Sequence, residues 1–291
     1  MIKKGIVLAG GTGSRMSPVT KAVNKQLLPL YDKPLIYYPI SILMLAKIKD
    51  ILIIVNKGQV DQFKKVLPNG DNLGIRIRYE EQDKPRGLPD AFLVGEKFIG
   101  NSSVALILGD NFFYGQSLTK RLTNCTRLTA GAKVFLYPVK DPSLYGVATI
   151  GRDDKIISII EKPKKFISNL AVTGLYFFDN KVVEFSKSLK PSKRGEIEIV
   201  DLLNKYKNKK KLSAEMIGRG AAWLDTGSIV DFNNTSNFVA AIENRQGFKV
   251  GCIEEIALGN KWINKNHIKK SINFYGECQY SKYLLTLIEN K

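Results

Sequence analysis

A glycine-rich stretch near the start of the chain has residue types that can bind phosphate. The apolar residues 6–9 are followed by the sequence GGTGSR at residues 10–15. Glycines permit positive φ angles and a close approach of the backbone, so consecutive N–H groups can face anionic oxygens, and Arg15 adds a forked donor. The spacing fits neither the P-loop nor the dinucleotide-binding pattern. The stretch therefore indicates either a different phosphate loop or an ordinary turn between a strand and a helix.

Two isolated aspartates stand at expected loop positions. Asp110 follows the apolar run 104–108 after one glycine, and Asp225 lies in the stretch AWLDTGS. In open α/β sheets ligands bind at the carboxyl ends of the strands, which is where Asp110 is expected. Mg²⁺ takes one or two carboxylates and completes its octahedron with phosphate oxygens and water, so two aspartates suffice for one ion. Taken alone, each aspartate can also cap a turn.

The sequence does not have the residue sets of nucleophilic or zinc catalysis. It contains one histidine, His267, and three scattered cysteines, Cys125, Cys252 and Cys278, without a CxxC pair. Lysines, arginines and single aspartates stand instead at expected loop positions. This composition makes a disulfide framework or a zinc site improbable.

Alternating apolar and amphipathic segments must position these residues. The segments predict strands and helices in βαβα order, which is typical of a mostly parallel sheet. An antiparallel hairpin is expected over 146–160, with its turn at 151–154, and the pattern after residue 231 is helical. The other predicted strands are 5–9, 50–55, 75–79, 104–108, 132–138 and 171–178, and the predicted helices are 37–46 and 60–66.

Length and composition indicate one globular domain. The chain has 291 residues, 44% of them hydrophobic, which is enough for a substantial core. No run approaches the ~18 apolar residues of a membrane span, and the first residues show no signal-peptide cleavage pattern. We therefore expect a single domain over residues 1–291, no membrane partner and a cytoplasmic location.

The net charge of +18 leaves nucleic-acid binding as an alternative function. Only ten of the 45 basic residues are arginine, and the lysines are spread along the chain, with one dense run at 205–211. That run is more simply a solvated helix end or turn. Because no helix-turn-helix or RNA-binding signature accompanies the charge, no nucleic-acid partner is expected. A steep salt dependence of polynucleotide affinity would indicate otherwise.

Several longer motifs together resemble the sugar-1-phosphate nucleotidylyltransferase family. The stretches LAGGTGSRMSPVT and NKQLLPLYDKPLIYYP carry the resemblance, and it continues through LGDNFFYG, DPSLYGV, EKP, AVTGLYFFDN, KRGEIEIVDL and AWLDTGS. The family implies a Rossmann-like three-layer αβα nucleotide-diphospho-sugar transferase fold with a mostly parallel mixed sheet. Residues 1–235 would form the nucleotide- and sugar-binding core, and residues 236–291 a mainly helical C-terminal part.

The resemblance also implies the reaction. Glucose 1-phosphate would attack the α-phosphorus of dTTP with the help of Mg²⁺, giving dTDP-glucose and pyrophosphate, the first step toward dTDP-rhamnose and related deoxysugars. UTP stays an alternative nucleotide, because one methyl group discriminates by only ~1–3 kcal/mol. A non-catalytic sensor of nucleotide sugars is a further alternative, and the presence of Asp110, Asp225 and Arg15 argues against it. The family implies a homotetramer.

Residue roles follow from matching the family motifs. The implied metal ligands are Asp110 and Asp225, and the implied catalytic cations are Arg15, Lys25 and Lys162. The implied nucleotide-binding residues are Leu8, Gly10, Gly11, Thr12, Gly13, Gln26, Gln82, Gly87 and Asp110. The implied sugar-phosphate residues are Tyr145, Gly146, Glu161, Lys162, Val172 and Arg194.

Departures from the family pattern affect two parts of the implied site assignment. Residues 83–86 and 89–90 replace the usual residues around Gly87, which leaves discrimination between thymine and uracil open. A second, regulatory nucleotide site is implied by Tyr114, Gly115, Arg219 and Glu255. Near it, Gln116 and Gly259 stand where the family commonly has a histidine and an arginine. The hypothesis is that this second site persists but binds nucleotide more weakly.

Overall fold

The computed structural model of the chain describes residues 1–151, 155–192 and 195–289. Within them the strands alternate with helices through the first half of the chain, and the last quarter is helical. The strands are β1 Lys4–Leu8, β2 Pro29–Leu30, β3 Lys33–Pro34, β4 Asp50–Asn56, β5 Arg76–Gln82, β6 Val104–Leu108, β7 Asn111–Gly115, β8 Ala132–Pro138, β9 Gly146–Ile150, β10 Ile156–Glu161, β11 Leu170–Phe178, β12 Leu212–Met216 and β13 Ala221–Asp225.

The helices cover both faces of the main sheet and form the C-terminal part. They are α1 Tyr37–Leu45, α2 Val60–Val66, α3 Asp90–Val94, α4 Glu96–Ile99, α5 Leu118–Cys125, α6 Val182–Lys187, α7 Ile199–Asn208, α8 Ile229–Gln246, α9 Ile253–Gly259, α10 Lys265–Tyr275 and α11 Gln279–Glu289. Short 3₁₀ turns at Ser14–Met16 and Lys25–Leu27 follow β1 and carry two of the candidate cations.

The main sheet has a parallel half and a mixed half. In the described residues its order is β10-β9-β11-β6-β1-β4-β5, with β8 paired to β11 and β12 paired to β8. The strands β6, β1, β4 and β5 are parallel to one another, whereas β11 is antiparallel to β6, β8 and β9. A separate antiparallel ribbon of β7 and β13 and a short hairpin of β2 and β3 complete the strands.

The strand order creates a crevice beside β1. From β1 the chain continues to β4 and β5 on one side, and it returns with β6 on the other side. Leu8 and Leu108, at the ends of β1 and β6, are register partners, so the segments that follow them leave the sheet at one level. Open α/β sheets bind ligands at such a switch point, outside the carboxyl ends of the strands.

Alternate residues of the parallel strands face two different cores. Ile6, Leu52 and Leu106 pack in one cluster with helices α3, α6 and α7, while Val7 and Ile53 pack in the other with α1, α9 and α11. Continuous apolar strands of this kind are typical of parallel sheets covered on both faces. A third, smaller cluster lies between α8, the strands β2 and β7, and the start of α1. The predicted three-layer α/β class is confirmed.

The sequence predicted the bounds of several elements closely. The predicted strands 104–108 and 132–138 and the helix 60–66 have the observed bounds. Strand β5 begins at Arg76 and runs three residues past the predicted end, to Gln82. The hairpin over 146–160 is confirmed as β9 paired with β10, although residues 152–154 of its expected turn lie outside the described residues.

Two further expectations concern domains and membranes. The proposed boundary at residue 235 falls inside α8, which runs unbroken from Ser228 as its N-cap to Gly247 at its C-cap. A single domain over the whole chain stays a prediction. Of the helices in the described part of the chain, none has the length and apolar character needed to cross a membrane.

Candidate active site

The glycine loop leaves the end of β1 and is held by two asparagines. Asn56, at the end of β4, accepts a hydrogen bond from the N–H of Gly11 and donates one to the Gly11 carbonyl, each at 2.8 Å. Asn24 donates to the Ala9 carbonyl at 3.1 Å. The N–H of Gly11 therefore points at Asn56, so the expectation that consecutive N–H groups of this loop face an anion does not hold at this residue.

Glycine is required at residue 10 because a side-chain amide lies against it. A Cβ atom at Gly10 would stand 1.9 Å from Nε2 of Gln82, which ends β5 and is buried. Gln82 Nε2 in turn donates to the side-chain oxygen Oδ1 of Asn56 at 3.4 Å. The carboxyl ends of β1, β4 and β5 thus place the loop and Gln82 together, as the family resemblance implies for a base-binding side.

Gly87 closes this side of the crevice. Its φ angle is +109°, and a Cβ atom there would stand 2.1 Å from the Ile197 carbonyl oxygen. The neighbouring Arg86 carbonyl accepts a hydrogen bond from the Ile197 N–H at 2.7 Å. A side chain at Gly87 would therefore be strained in its backbone and would collide with the segment before α7. Arg194, in that segment, lies outside the described residues.

Lys25 and Asp110 form an ion pair at the switch point. Lys25 Nζ lies 2.7 Å from Oδ2 of Asp110, and their side chains are 8% and 24% exposed. Asn24 places the lysine, because its side chain accepts from the Gln26 N–H in the same 3₁₀ turn while it is anchored to the end of β1. Burial tends to raise the pKa of the Asp110 carboxyl, but Lys25 and the Asn111 amide outweigh burial and hold that pKa below its ordinary value.

Asp225 stands beside Asp110 through the pairing of β13 with β7. Asp225 is the register partner of Asn111, and Thr226 donates from both its N–H and its hydroxyl to the Asp110 carbonyl, at 3.1 and 2.8 Å. Burial and the nearby Asp110 carboxylate raise the pKa of Asp225 to about 6, against the opposing effect of Lys25 and Arg15. The two carboxylates share one electrostatic environment with two cations.

Arg15 approaches the same place from the glycine loop. Its side chain is exposed, and its guanidinium nitrogens lie 2.9 and 3.0 Å from the position that a Cβ atom on Gly227 would take. Gly227 follows Asp225 by two residues, so the absence of a side chain there leaves room for the guanidinium. Thr12 is exposed in the same loop, and Leu8 is the last residue of β1 before that loop. Gln26, in contrast, is buried against Gly109.

The candidate sugar side lies across the carboxylates from Gln82. Glu161 and Gly146 are register partners in β10 and β9, and a Cβ atom on Gly146 would meet Glu161 Oε2 at 3.3 Å and Val172 Cβ at 3.9 Å. Lys162 donates its N–H to the Tyr145 carbonyl at 2.9 Å, and its half-exposed ammonium lies 3.9 Å from Glu161 Oε1. The structure thus brings these five predicted residues together.

An aromatic wall joins this side to Asp225. The rings of Tyr145 and Trp223 meet edge to face at 5.1 Å. Both residues line a cavity of about 180 Å³ together with Asp225 and Asp231. Burial and the carboxylates of Asp225 and Asp231 raise the pKa of the Tyr145 hydroxyl, which keeps that hydroxyl a neutral hydrogen-bonding group.

The candidate regulatory residues gather elsewhere. Tyr114, Gly115 and Glu255 line a separate cavity of about 580 Å³ between the outer end of β7 and the segment before α9. Gly220 lines the same cavity, but Arg219 itself does not and is exposed. The ribbon of β7 and β13 connects the two places, because Asn111 pairs with Asp225 at one end and Gly115 pairs with Ala221 at the other.

Three asparagines of the site were missed from the sequence. Asn24, Asn56 and Asn111 hold the glycine loop, the turn of Lys25 and the Asp110 carboxylate. Asn56 had a usable signal, since it ends a buried apolar strand just as Asp110 follows one. Asn24 and Asn111 lie inside the family-like motifs NKQLLPL and GDNFFYG. In these motifs the functional roles were assigned to the neighbouring Lys25 and Asp110 instead.

We expect Asp225 to make the metal-free protein less stable as the pH rises. Its folded pKa of about 6 exceeds the ordinary 3.8, so between these values the folded state binds more protons and the free energy of unfolding falls with increasing pH. Asp225→Asn should therefore be more stable than the wild type above about pH 6, by about 1–3 kcal/mol, with the difference shrinking toward about pH 4. Urea unfolding in EDTA over this range measures it. A wild type as stable as the variant at high pH would contradict the raised pKa.

The chain is similar in sequence to proteins of known activity. The sequence profile described as "Nucleotidyl transferase" matches residues 4–242. The chain is also similar to a glucose-1-phosphate thymidylyltransferase of Neisseria meningitidis serogroup A / serotype 4A. The two are 48% identical over 286 residues, which cover 98% of this chain and 99% of that relative.

Two solved structures resemble this fold over more than four fifths of the chain. A crystal structure of a Bacillus anthracis protein in complex with sucrose has a TM-score of 0.75 and 41% identity, covering 81% of this chain and 94% of that one. A UDP-glucose pyrophosphorylase complexed with UDP-glucose has a TM-score of 0.73 and 29% identity, covering 84% and 100%.

Proposed function

Because this chain belongs to the nucleotidyl transferase family, we propose that it transfers a deoxythymidylyl group from dTTP to glucose 1-phosphate, giving dTDP-glucose and pyrophosphate. The observation that carries the proposal is the ion pair of Lys25 with Asp110 beside Asp225, placed between Gln82 on one side and Glu161 on the other. A nucleotide can lie along this line with its base at Gln82 and its phosphates at the carboxylates.

We further propose Mg²⁺ as the cofactor, held by Asp110 and Asp225. The two carboxylates fit such an ion, because Asp225 pairs in register with Asn111, the residue after Asp110, and the adjacent Thr226 donates two hydrogen bonds to the Asp110 carbonyl. Among the described residues no group of three or more histidine, cysteine, aspartate or glutamate side chains is placed to hold a metal. Mg²⁺ does not need one, since phosphate oxygens and water complete its octahedron. When bound, the ion would neutralise charge on the phosphates.

The chemistry needs no nucleophile from the protein. A phosphate oxygen of glucose 1-phosphate attacks the α-phosphorus of dTTP in line, the bond from that phosphorus to the bridging oxygen breaks, and pyrophosphate leaves with its electron pair. The protein contributes by alignment and by cations placed where negative charge accumulates. Lys25 is almost fully buried beside Asp110, whereas Arg15 is exposed and can meet the departing pyrophosphate.

On the sugar side a carboxylate and a cation stand next to each other. Glu161 can accept hydrogen bonds from sugar hydroxyls, while the Lys162 ammonium can meet the 1-phosphate. Gly146 lies against both Glu161 and Val172, and the backbone groups of Gly146 and Val172 can contact the sugar. A ring of glucose can pack on the wall made by Tyr145 and Trp223.

The preferred nucleotide depends on the base side. The Gln82 amide can pair with N3–H and O4 of thymine or uracil alike, and the similar UDP-glucose pyrophosphorylase shows that uridine nucleotides suit this fold in a 29% identical protein. One methyl group is worth ~1–3 kcal/mol, or roughly 10–200-fold. We therefore expect dTTP to be preferred and UTP to be used at a lower rate.

Pyrophosphate release over a matrix of nucleoside triphosphates and sugar 1-phosphates tests the proposal. The highest kcat/KM should belong to dTTP with glucose 1-phosphate. A higher value for UTP would make the protein a uridylyltransferase. Release with none of the pairs would overturn the transferase assignment and return the sensor alternative, which dTTP binding measured by calorimetry would then detect.

Lys162→Ala should weaken use of glucose 1-phosphate much more than use of dTTP. The substitution removes the half-exposed ammonium beside Glu161 but leaves the Lys25–Asp110 pair and Gln82 untouched. Since a hydrogen bond to a charged group contributes about 1.5–3 kcal/mol, we expect kcat/KM for glucose 1-phosphate to fall about 10–150-fold. Lys165→Ala, an exposed lysine three residues further on, is the matched control. Equal losses for both substrates would contradict the role of Lys162.

Four further features belong to this proposal. We propose a homotetramer with a second nucleotide site in the cavity of Tyr114, Gly115 and Glu255, which is large enough for part of a nucleotide. Since Arg219 lies beside that cavity on an exposed turn, it can still reach a ligand there.

A reaction that consumes a nucleoside triphosphate favours a cytoplasmic location. Use of the product in the dTDP-rhamnose pathway stays a prediction.

A further inference from the structure

Asn111 is buried at the point where three strands meet the candidate metal site. It is the first residue of β7, follows Asp110 directly, and is 2% exposed. Its Oδ1 accepts from the Gly174 N–H at 3.0 Å and from Trp223 Nε1 at 2.6 Å, while its Nδ2 donates to Asp110 Oδ1 at 3.0 Å. One buried amide thus links β7, β11 and β13.

The orientation of this amide is fixed by its partners. The Gly174 N–H and the Trp223 indole N–H are both donors, so only the carbonyl oxygen of Asn111 can face them. The NH₂ group must then face Asp110, which can accept but not donate while it is ionised. A flipped amide would set donors against donors at two buried contacts. The network therefore leaves Asn111 one orientation.

The bond from Gly174 exists because β11 bulges there. Along β11 the residues Val172 and Tyr176 pair with Leu136 and Val134 of β8, so β11 carries extra residues between the two pairs. The bulge turns the Gly174 N–H toward Asn111, and a Cβ atom on Gly174 would stand 2.5 Å from the Asn111 oxygen. Bulges of this kind re-aim a strand near functional sites.

The two oxygens of Asp110 are consequently held from two directions. Oδ1 accepts from Asn111, and Oδ2 accepts from the Lys25 ammonium. In the proposed function the Lys25 ammonium also neutralises charge on the phosphates. Its interaction is therefore divided between Asp110 and the nucleotide once a nucleotide binds. The Asn111 oxygen is occupied by the Gly174 and Trp223 donors inside the core, and one of its two amide hydrogens goes to Asp110.

We propose that Asn111 is a positioning residue, which fixes the rotation of the Asp110 carboxylate and links it to the sugar side. Gly174 lies two residues from Val172, and Trp223 lies two residues from Asp225 and contacts Tyr145. A shift of either neighbour therefore reaches Asp110 through one amide. The inference rests on the proposed function, since it assigns Asp110 to the metal.

Asn111→Asp is the variant that tests the proposal. A carboxylate at this position keeps an oxygen for the Gly174 and Trp223 donors, so the core contacts survive. It removes the donor to Asp110 and places a like charge beside it. Changes to groups that orient metal ligands typically cost 10–100-fold in metal affinity or activity, so we expect kcat to fall about 10–100-fold while KM for dTTP changes little.

The affinity for Mn²⁺ supplies a readout that is independent of turnover. Titration of Mn²⁺ by electron paramagnetic resonance, with dTTP present and no sugar phosphate, should show binding weakened about 10-fold or more in Asn111→Asp. Asn111→Ser, which keeps a hydroxyl too short to reach all three partners, should show the same weakening if it folds. Unchanged Mn²⁺ affinity and turnover in Asn111→Asp would overturn the proposal.

A control separates positioning from general destabilisation. Leu284→Ala removes a fully buried side chain from α11, so it should lower stability without touching the site. If its kcat and Mn²⁺ affinity fall as in Asn111→Asp, the role of Asn111 is merely structural. Turnover of the wild type with dTTP and glucose 1-phosphate tests the proposed function separately. A wild type active only with other substrates leaves the Asn111 comparison valid with those substrates.

Discussion

Asp225→Asn and Asp110→Asn are each expected to lower kcat by at least about 10²–10³-fold while the protein stays folded. Each change keeps the shape of the side chain and removes one of the two negative charges proposed to hold Mg²⁺. Loss of one group that stabilises charge in a transition state typically costs this much. For Asp110 the loss also leaves the buried Lys25 ammonium without its partner at 2.7 Å.

The stability of Asp225→Asn separates a loss of turnover from a loss of folded protein. Asp225→Asn should be more stable than the wild type in EDTA at neutral pH, because the carboxylate it removes is held at a raised pKa by burial and by Asp110. A loss of turnover then cannot be ascribed to unfolding. Such a combination of lower activity with higher stability is typical of residues kept for function.

Steady-state rates at increasing Mg²⁺ concentrations measure the effect. The matched control is Asp61→Asn, which changes an exposed aspartate in α2 and should leave turnover unchanged. Turnover in either Asp110→Asn or Asp225→Asn that is near normal at every Mg²⁺ concentration would remove that residue from the mechanism. Recovery of one variant at high Mg²⁺ would instead mean that its carboxylate contributes affinity only.

Strands buried on both faces were predictable because their signal is local. The run VALIL at residues 104–108 is apolar throughout and ends at a glycine, so its bounds and the place of Asp110 follow from the sequence. The ribbon of β7 and β13 gave no such signal. Its pairing joins residues more than 100 positions apart, and the stretches NFFYG and AAWLD mix polar, small and aromatic residues.

Some residues of the candidate site could likewise be predicted from the sequence, and others could not. Glycines 10, 11 and 13, Arg15 and Asp110 could be singled out from residue type and position. The roles of Gln82 and Lys162 came only from the family resemblance, since a single glutamine or lysine is usually a surface residue. Asn111 could not be found by either route. Its importance lies in hydrogen bonds to Gly174 and Trp223, 63 and 112 positions away.

Arg15→Gln should be the second most damaging substitution, with kcat lowered about 10²–10³-fold. Arg15 is the exposed cation of the glycine loop, and its guanidinium lies against Gly227, two residues after Asp225. There it can neutralise the charge that grows on pyrophosphate as the bond to the α-phosphorus breaks. Arg15→Lys keeps the charge but loses the planar fork, so it should retain more activity than Arg15→Gln.

Gly227→Ala tests the same placement without changing any charge. The added methyl group would stand 2.9 Å from a guanidinium nitrogen, and the flexible end of Arg15 is what must move. We therefore expect an intermediate loss of about 10-fold in kcat, with unfolding free energy close to that of the wild type. In the reverse direction both Gly227→Ala and Arg15→Gln should raise KM for pyrophosphate, because the guanidinium is proposed to meet that group. In the double variant the loss should not exceed that of Arg15→Gln alone, since the methyl group acts only through Arg15. Additive losses would show that Gly227 acts on another part of the site.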